Sequence, residues 1–361
     1  MRSKRGKSRL GGGRAQRILF AHSYENIISV ENLLAAWKEF VRGKRGKRDV
    51  QEFQHSLMAN ILALHRDLKS GTYRHDPYTA FKISDPKPRD IHKATVRDRL
   101  VHHAVHRILY PFFDRTFIAD SYSCRQRKGV HRPINRFRSF ACGITAKHRE
   151  CWVLKCDIRK FFASIDQKIL IDIVVGYIPD KRIVALITEI VSSFCSCQTH
   201  QTMPTGRIGG VRKGLPLGNL TSQLLVNIYM NEFDQFVKHR LKAKFYIRYA
   251  DDFVILSHDK ELLITMYRYI DTFLRERLHL QLHPGKVSIQ NYQSGVDFLG
   301  WVHFPDHLVL RTSTKRRMQK RTKGSENEYS IISYLGLLSH GNAYTLATPL
   351  RGRLRQIEGK R

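Results

Sequence analysis

No run of eighteen apolar residues occurs in this chain, whereas a bilayer-spanning helix needs about twenty. Nothing is therefore expected to span a bilayer. Nor does an apolar core follow the basic start in the manner of a secretory signal, so the chain reads as cytoplasmic. Acidic residues are scarce: 31 Asp and Glu stand against 63 Lys and Arg, a net charge of +32. That excess is far beyond what solubility requires, and a phosphate-rich partner is its natural counterion. Binding to a membrane surface is the competitor to such a nucleic-acid partner, and no membrane partner is expected. Cysteine is sparse as well. The six cysteines, Cys124, Cys142, Cys151, Cys156, Cys195 and Cys197, lack the dense spacing of a secreted disulfide scaffold, which favours thiols. Only Cys195-Ser-Cys197-Gln-Thr-His200 has ligand-like spacing; it offers three zinc donors and no obvious fourth, so a surface loop insertion stands ahead of a metal site. No repeat of about 20–50 residues is visible.

With 361 residues and 42% apolar content, the chain is long enough for a sizeable core and for more than one domain. Residues Met1 to Arg17, rich in Lys and Arg and holding Gly11-Gly12-Gly13, are too polar to fold alone and read as a disordered basic arm for RNA. A second basic run, Arg42 to Arg48, sits between amphipathic stretches as a charged helix-helix loop, with a nuclear-import signal as the alternative. Val50, Phe53, Leu57, Ile61, Leu64 and Leu68 recur at helical spacing and predict one amphipathic helix. A second helix should start after Asn219 as N-cap, with Leu220, Leu224 and Ile228 on one face, packing beneath a sheet. Short apolar runs around Val153, Ile247, Val254, Val287 and Phe298 predict its strands, giving an α+β fold. His102, His103 and His106 share a predicted helix with Arg97 and Arg99; packed or phosphate-facing histidines are the expectation there.

The chemistry concentrates in acids at strand ends. Tyr249-Ala-Asp251-Asp252 lies between the apolar runs Phe245–Tyr249 and Phe253–Leu256, which predicts a β-hairpin with two carboxylates at its tip. Like charges this close raise one another's pKa unless cations share them. Upstream, the apolar run Cys151-Trp-Val-Leu-Lys-Cys-Asp157 also ends on an acid. Three such carboxylates side by side suit two hard cations about 3.5–4 Å apart, the arrangement that serves in-line phosphoryl transfer. Asp166, nearby, reads as a helix-capping or structural acid.

In their order along the chain these segments resemble the reverse transcriptases. Asp157 matches the first catalytic Asp of the palm, and Phe162 the aromatic steric gate under the nucleotide sugar. Gly214-Leu-Pro-Leu217-Gly218-Asn-Leu-Thr-Ser222-Gln223 resembles the segment that holds nucleotide and template, and Tyr249 to Asp252 is the YxDD box. His283-Pro-Gly-Lys286 looks like the following segment, with Lys286 directed to the triphosphate, and Val296-Asp-Phe298-Leu299-Gly300 like the primer grip. Phe81 to Ile91, with Lys87 and Arg89, together with Val96 to Val101 and Ser121 to Gly129, resembles the fingers. Ser333 to Asn342 resembles a thumb helix of group II intron-like enzymes.

The resemblance implies a right-hand polymerase fold: fingers over 18–148 with 167–212 partly interleaved, a palm over 149–300 built on a mixed sheet with the YxDD hairpin, and a short helical thumb with a basic tail over 301–361. It implies Asp157, Asp251 and Asp252 as catalytic residues that hold two Mg²⁺ ions with the Ile158 carbonyl. Lys87, Arg89, Phe162, Leu217, Gly218, Gln223 and Lys286 would bind the dNTP. Leu217 and Ser222-Gln223 depart from the Gln and Ser-Pro of most group II intron-type enzymes, and LGxxxSQ resembles the reverse transcriptases of diversity-generating retroelements. Where a Gln can hydrogen-bond the nucleotide, Leu217 offers only packing, so Leu217 and Arg89 are expected to set low fidelity opposite template adenine.

Partners implied by that family are a template-repeat RNA, the cDNA/RNA hybrid and a basic helical-bundle oligomer, the accessory variability determinant. No ribonuclease H, integrase or endonuclease segment is read in the sequence. Two alternatives remain: a reverse transcriptase of another prokaryotic lineage, defence-associated or group II-like, without adenine mutagenesis; and a non-catalytic RNA-binding protein on a decayed polymerase fold, which the intact acids oppose.

Overall fold

The computed structural model describes residues 18–84, 88–196, 212–323 and 328–358. The basic arm, Lys87, Cys197 and His200 lie outside the described residues. In chain order the elements begin with helices α1 (Tyr24–Ile28), α2 (Val30–Phe40), α3 (Arg48–His55) and α4 (Leu57–Ser70), strands β1 (Thr79–Ile83) and β2 (Arg89–Lys93), and helices α5 (Val96–Thr116) and α6 (His131–Thr145). Strand β3 (Trp152–Asp157) and helices α7 (Phe161–Ser164), α8 (Gln167–Val175), α9 (Lys181–Ser192) and α10 (Leu220–Gln235) follow. The rest comprises β4 (Phe245–Tyr249), β5 (Asp252–Ser257), α11 (Lys260–Leu278), β6 (Ser288–Asn291), β7 (Val296–Phe298), β8 (Trp301–His303), β9 (Leu308–Leu310), α12 (Thr312–Thr322), α13 (Glu328–Leu338) and α14 (Tyr344–Glu358). Two compact units result, one of residues 1–112 and 166–222, the other of 113–165 and 223–361.

In the first unit, the helix expected over Val50 to Leu68 is two helices, broken at Ser56 with φ −117° and ψ 42°. Asn60 explains the break: its side-chain amide donates to the Phe53 carbonyl at 2.9 Å, a partner that a continuous helix would have supplied from the backbone four residues on. Val50, Ile61, Leu64 and Leu68 still face the core. Residues 41–47 form the basic loop between helices. The α5 histidines are packed side chains: burial pushes His102 down to about 3 and His103 and His106 down to about 4. His102 contacts the Thr221 hydroxyl at 2.5 Å and His75 at 3.2 Å. Asp166 caps α8, accepting from the Lys168 and Ile169 amides at 3.0 and 3.2 Å.

The second unit is built on a four-stranded sheet in the order β4-β5-β3-β6. Its four strands pair antiparallel, with an isolated parallel bridge of Ser121 to Arg248 on β4, where a mixed sheet was expected: β5 and β6 both start at the end where β3 finishes, because α11 returns the chain along the sheet. The strand around Phe298 does not join it. β7 pairs instead with β8, which pairs in turn with β9, in a separate three-stranded sheet.

Both faces of the four-stranded sheet are covered, so its strands read as nearly unbroken apolar runs rather than as alternation. Val153, Ile247, Val254 and Leu256 pack with Phe137, Phe140 and Ile144 of α6 and with Phe298. On the opposite face, Phe233 of α10 meets Phe253 with ring centroids 5.0 Å apart. α11 contributes the stripe Leu263, Met266, Ile270, Leu274 and Leu278. Around the smaller sheet, Trp301, Leu308 and Leu310 form a second core with Met318, Ile331, Leu338 and Leu350.

Gly341 exposes how tightly that second core is closed, since a methyl at its Cα would stand 2.2 Å from the Trp301 ring. Trp301 is fully buried and has no room to yield. Gly341→Ala should therefore destabilise the protein by about 1–3 kcal/mol, read as a lowered midpoint in denaturant melts, while Gly336→Ala, which meets nothing within 4 Å, should not.

Candidate active site

Strands β4 and β5 close a hairpin through the pair Tyr249↔Asp252, leaving Ala250 and Asp251 as its two-residue loop. Ala250 has φ 56°, a left-handed backbone at a position where such loops favour glycine; for a residue with a Cβ this costs about 1–2 kcal/mol. On the other side of β5, β3 pairs in a register that sets Asp157 opposite Asp252. The chain beyond β3 is stitched to the same spot: Ile158 N–H donates to the Asp251 carbonyl at 3.3 Å, and His283 N–H donates to the Asp157 carbonyl at 2.8 Å.

Side chains converge accordingly. Burial, then the charges of Asp251 and Asp157, push Asp252 up to about 7, against a weaker opposite pull from Lys155; a hydrogen bond with Asp157 adds to the rise. Lys286, in the turn Pro284–Lys286, donates to Asp157 Oδ2 at 2.8 Å, so in this structure it lies against the acids. Lys155 sits on β3 two residues before Asp157 and donates to the Asp297 carbonyl at 2.5 Å. The Asp297 carboxylate in turn accepts from Arg311 at 2.5 and 2.8 Å.

Phe162 lies on the one-turn helix α7, half-buried, with its ring 5.6 Å from that of Phe161. At the β7–β8 turn, Leu299 and Gly300 take φ 51° and 90° and Phe298 is buried against α6. In the other unit, Arg89 opens β2 with its side chain exposed. The Leu217 carbonyl accepts from His92 N–H of β2 at 3.1 Å. Gly218, φ 107°, approaches Ile91 so closely that a Cβ would stand 3.1 Å from it. Gln223 on α10 is half-buried. Thus Asp157, Ile158, Asp251, Asp252 and Lys286 come together in one unit, and Arg89, Leu217 and Gly218 lie along one strand of the other.

Among the described residues, no group of three or more His, Cys, Asp and Glu side chains closes into a metal-ligand set by itself. The donor chemistry at the hairpin nonetheless fits a hard cation. Two carboxylates share a hydrogen bond at a cost that positive charge relieves, and Lys286 already supplies one such charge at Asp157.

Residues 82–303, more than half of the chain, match the family described as reverse transcriptase (RNA-dependent DNA polymerase). The chain belongs to the reverse transcriptase family. Protein YkfC of Escherichia coli K12 is 26% identical over 300 residues, which cover 73% of this chain and 74% of that one. The group II intron-encoded protein LtrA of Lactococcus lactis is 25% identical over 365 aligned positions, covering 82% of this chain. This reverse transcriptase spans only 55% of the length of that relative. A structure of apo telomerase from Candida tropicalis truncated from its C-terminal domain aligns with a TM-score of 0.46 at 12% identity, over 70% of this chain and 60% of the other. No helix among the described residues is long and apolar enough to cross a membrane.

Lys155, Asp297 and Arg311, and with them Arg248 of β4, escaped the reading of the sequence. Arg248 was detectable, since a charged residue inside Phe245-Tyr-Ile-Arg-Tyr249 breaks an otherwise core-like strand.

The raised carboxyl of Asp252 has a sign. Its folded pKa exceeds the ordinary 3.8, so the stability it contributes is fully present below about 4 and is lost as pH rises through about 7. In EDTA, the wild type should lose stability relative to Asp252→Asn between those limits, as followed by thermal melts across pH. A pH-independent difference would contradict the coupling.

Proposed function

We propose that this reverse transcriptase copies a template-repeat RNA into cDNA with errors concentrated opposite adenine, as the polymerase of a diversity-generating retroelement. The observation that carries the reading is Leu217-Gly218 with Ser222-Gln223 in a chain that keeps all three acids. In this reading residues 18–148, with 167–212, act as fingers, 149–300 as palm and 301–361 as thumb. The enzyme works in the cytoplasm of a prokaryotic or phage-infected cell. A positive surplus of this size favours an RNA template and a cDNA/RNA hybrid; the accessory variability determinant, itself basic, is the partner that the family resemblance implies.

Asp157, Asp251 and Asp252, with the Ile158 carbonyl, would hold two Mg²⁺ ions, which when bound acidify the primer hydroxyl and balance charge on the triphosphate. The three acids orient the primer 3′-hydroxyl toward the α-phosphate of the dNTP. Lys87 and Arg89 bind the triphosphate, and Lys286 partners Asp157 and neutralises the phosphate side of the same site. Phe162 occupies the space a ribose 2′-hydroxyl would need. Gly218 lets the backbone approach the nucleotide, Gln223 contacts the template side, and Phe298, Leu299 and Gly300 grip the primer. Leu217 packs against the nascent pair without a hydrogen bond to hold it in register, so a mismatch loses little.

A second reading is favoured by the 25% identity to a group II intron-encoded protein: a group II-like enzyme with the same chemistry and ordinary fidelity. Primer extension on a defined RNA with Mg²⁺ and four dNTPs, followed by cDNA sequencing, separates the two. The expected result is extension that falls about a thousandfold in Asp251→Asn, with substitutions concentrated opposite adenine that Leu217→Gln reduces. Accurate cDNA from the wild type would point to the second reading or to a missing partner, and an unchanged spectrum in Leu217→Gln would remove Leu217 as the determinant of fidelity. Phe162→Ala should admit ribonucleotides in the same assay; undiminished discrimination would place the gate elsewhere.

A further inference from the structure

Arg248, the penultimate residue of β4, is only 1% exposed, and every arm of its guanidinium is used. Nε and Nη2 donate to the two oxygens of Asp234 at 2.8 and 2.7 Å. Nη2 also donates to Ser121 Oγ at 3.1 Å. Nη1 donates to Asn227 Oδ1 at 3.4 Å and to the main-chain carbonyl of Ala250 at 3.1 Å. Asp234, fully buried, accepts a further bond from the Tyr246 hydroxyl at 2.7 Å. Asn227 and Asp234 are seven residues apart on α10 and so lie on one face of that helix. The main chain of Arg248 is clamped too: its N–H donates to the Asp120 carbonyl and its carbonyl accepts from Tyr122 N–H, both at 3.0 Å.

A buried ion pair of this kind is poor evidence of stabilisation, because well-packed apolar residues commonly replace one without loss. What apolar residues cannot replace is the bond to Ala250, whose left-handed backbone presents Asp251 and Asp252. We propose that Arg248 is a positioning residue: anchored by Asp234 and Asn227 of α10, it holds the Ala250 carbonyl and thereby fixes the acid-bearing turn in its strained conformation. Lysine cannot substitute, because a single ammonium does not span Asp234 and Ala250 as the planar fork does. The role in catalysis rests on the reading of Asp251 and Asp252 as reacting carboxylates; the role in holding the turn does not.

The test compares wild type, Arg248→Lys and the triple variant Arg248→Met/Asp234→Leu/Tyr246→Phe, which removes both charges and the hydroxyl that bonds them. Amide hydrogen exchange is followed in EDTA, and primer extension in Mg²⁺. The triple variant should melt cooperatively, with exchange at residues 249–252 faster by about tenfold while 253–256 stay protected. Its kcat should fall by about a hundredfold with the KM for dNTP little changed, the mark of a misplaced catalytic group rather than a lost binding contact. Arg248→Lys should show the same two effects in weaker form and decides the matter if the triple variant does not fold. Wild-type exchange at 249–252 together with wild-type kcat in a folded variant would overturn the proposal. Undiminished extension by Asp251→Asn would instead overturn the reading of the acids, and the exchange data would still judge the tether.

Discussion

The register of β3 against β5 is the constraint on which the rest of the site depends. Because side chains alternate faces along a strand, a slip of one residue would send Asp157 to the opposite side of the sheet from Asp252. The pairing is held by apolar residues rather than by the acids, which oppose it: Val153 lies opposite Leu256 and Leu154 opposite Ile255, with all four side chains buried. Each such side chain contributes about 1.5–3 kcal/mol by leaving water, enough together to force two carboxylates into contact at the strand ends. The resulting negative charge is then met by cations, with Lys286 on Asp157 and Lys155 close enough to act on Asp252.

Apolar and polar contacts therefore do different work around the four-stranded sheet. Burial on both faces supplies the stability. The polar groups add little net energy, since their desolvation offsets most of what they gain, but they specify positions that packing leaves open. Arg248 reaches the Ala250 carbonyl, Lys155 the Asp297 carbonyl, and Arg311 the Asp297 carboxylate. Through Lys155 the strand carrying Asp157 is connected to the segment carrying Phe298, although the two lie in different sheets.

The acid-ended strands and the hairpin were legible because their signals are local: an apolar run followed at once by a carboxylate. The capping role of Asp166 and the packed character of the α5 histidines were legible for the same reason. What sequence spacing did not carry was partnership over distance. The break at Ser56 is fixed by Asn60 reaching back to Phe53, which an apolar stripe does not encode. The strand direction is fixed by the return path of α11, so antiparallel pairing of the four strands was not foreseeable from apolar runs alone. The apolar run around Phe298 was expected in the same sheet as the run around Val287, yet β7 joins a different sheet from β6. Lys286 lies on Asp157 because the turn Pro284–Lys286 is anchored by His283 N–H to the Asp157 carbonyl, 126 residues back along the chain in numbering.

Leu217 shows the same division between backbone and side chain in the other unit. Its carbonyl accepts from His92 N–H, and the following residue, Gly218, keeps the turn close to Ile91. Both contacts belong to the main chain and to glycine, so neither requires leucine. The half-buried side chain is free to be chosen on other grounds, and an exchange to glutamine alters its hydrogen-bonding capacity without dislodging the turn from β2. A change in nucleotide selection at this position would consequently report on the side chain's chemistry, the one property that distinguishes a residue able only to pack from one able to hold a base in register.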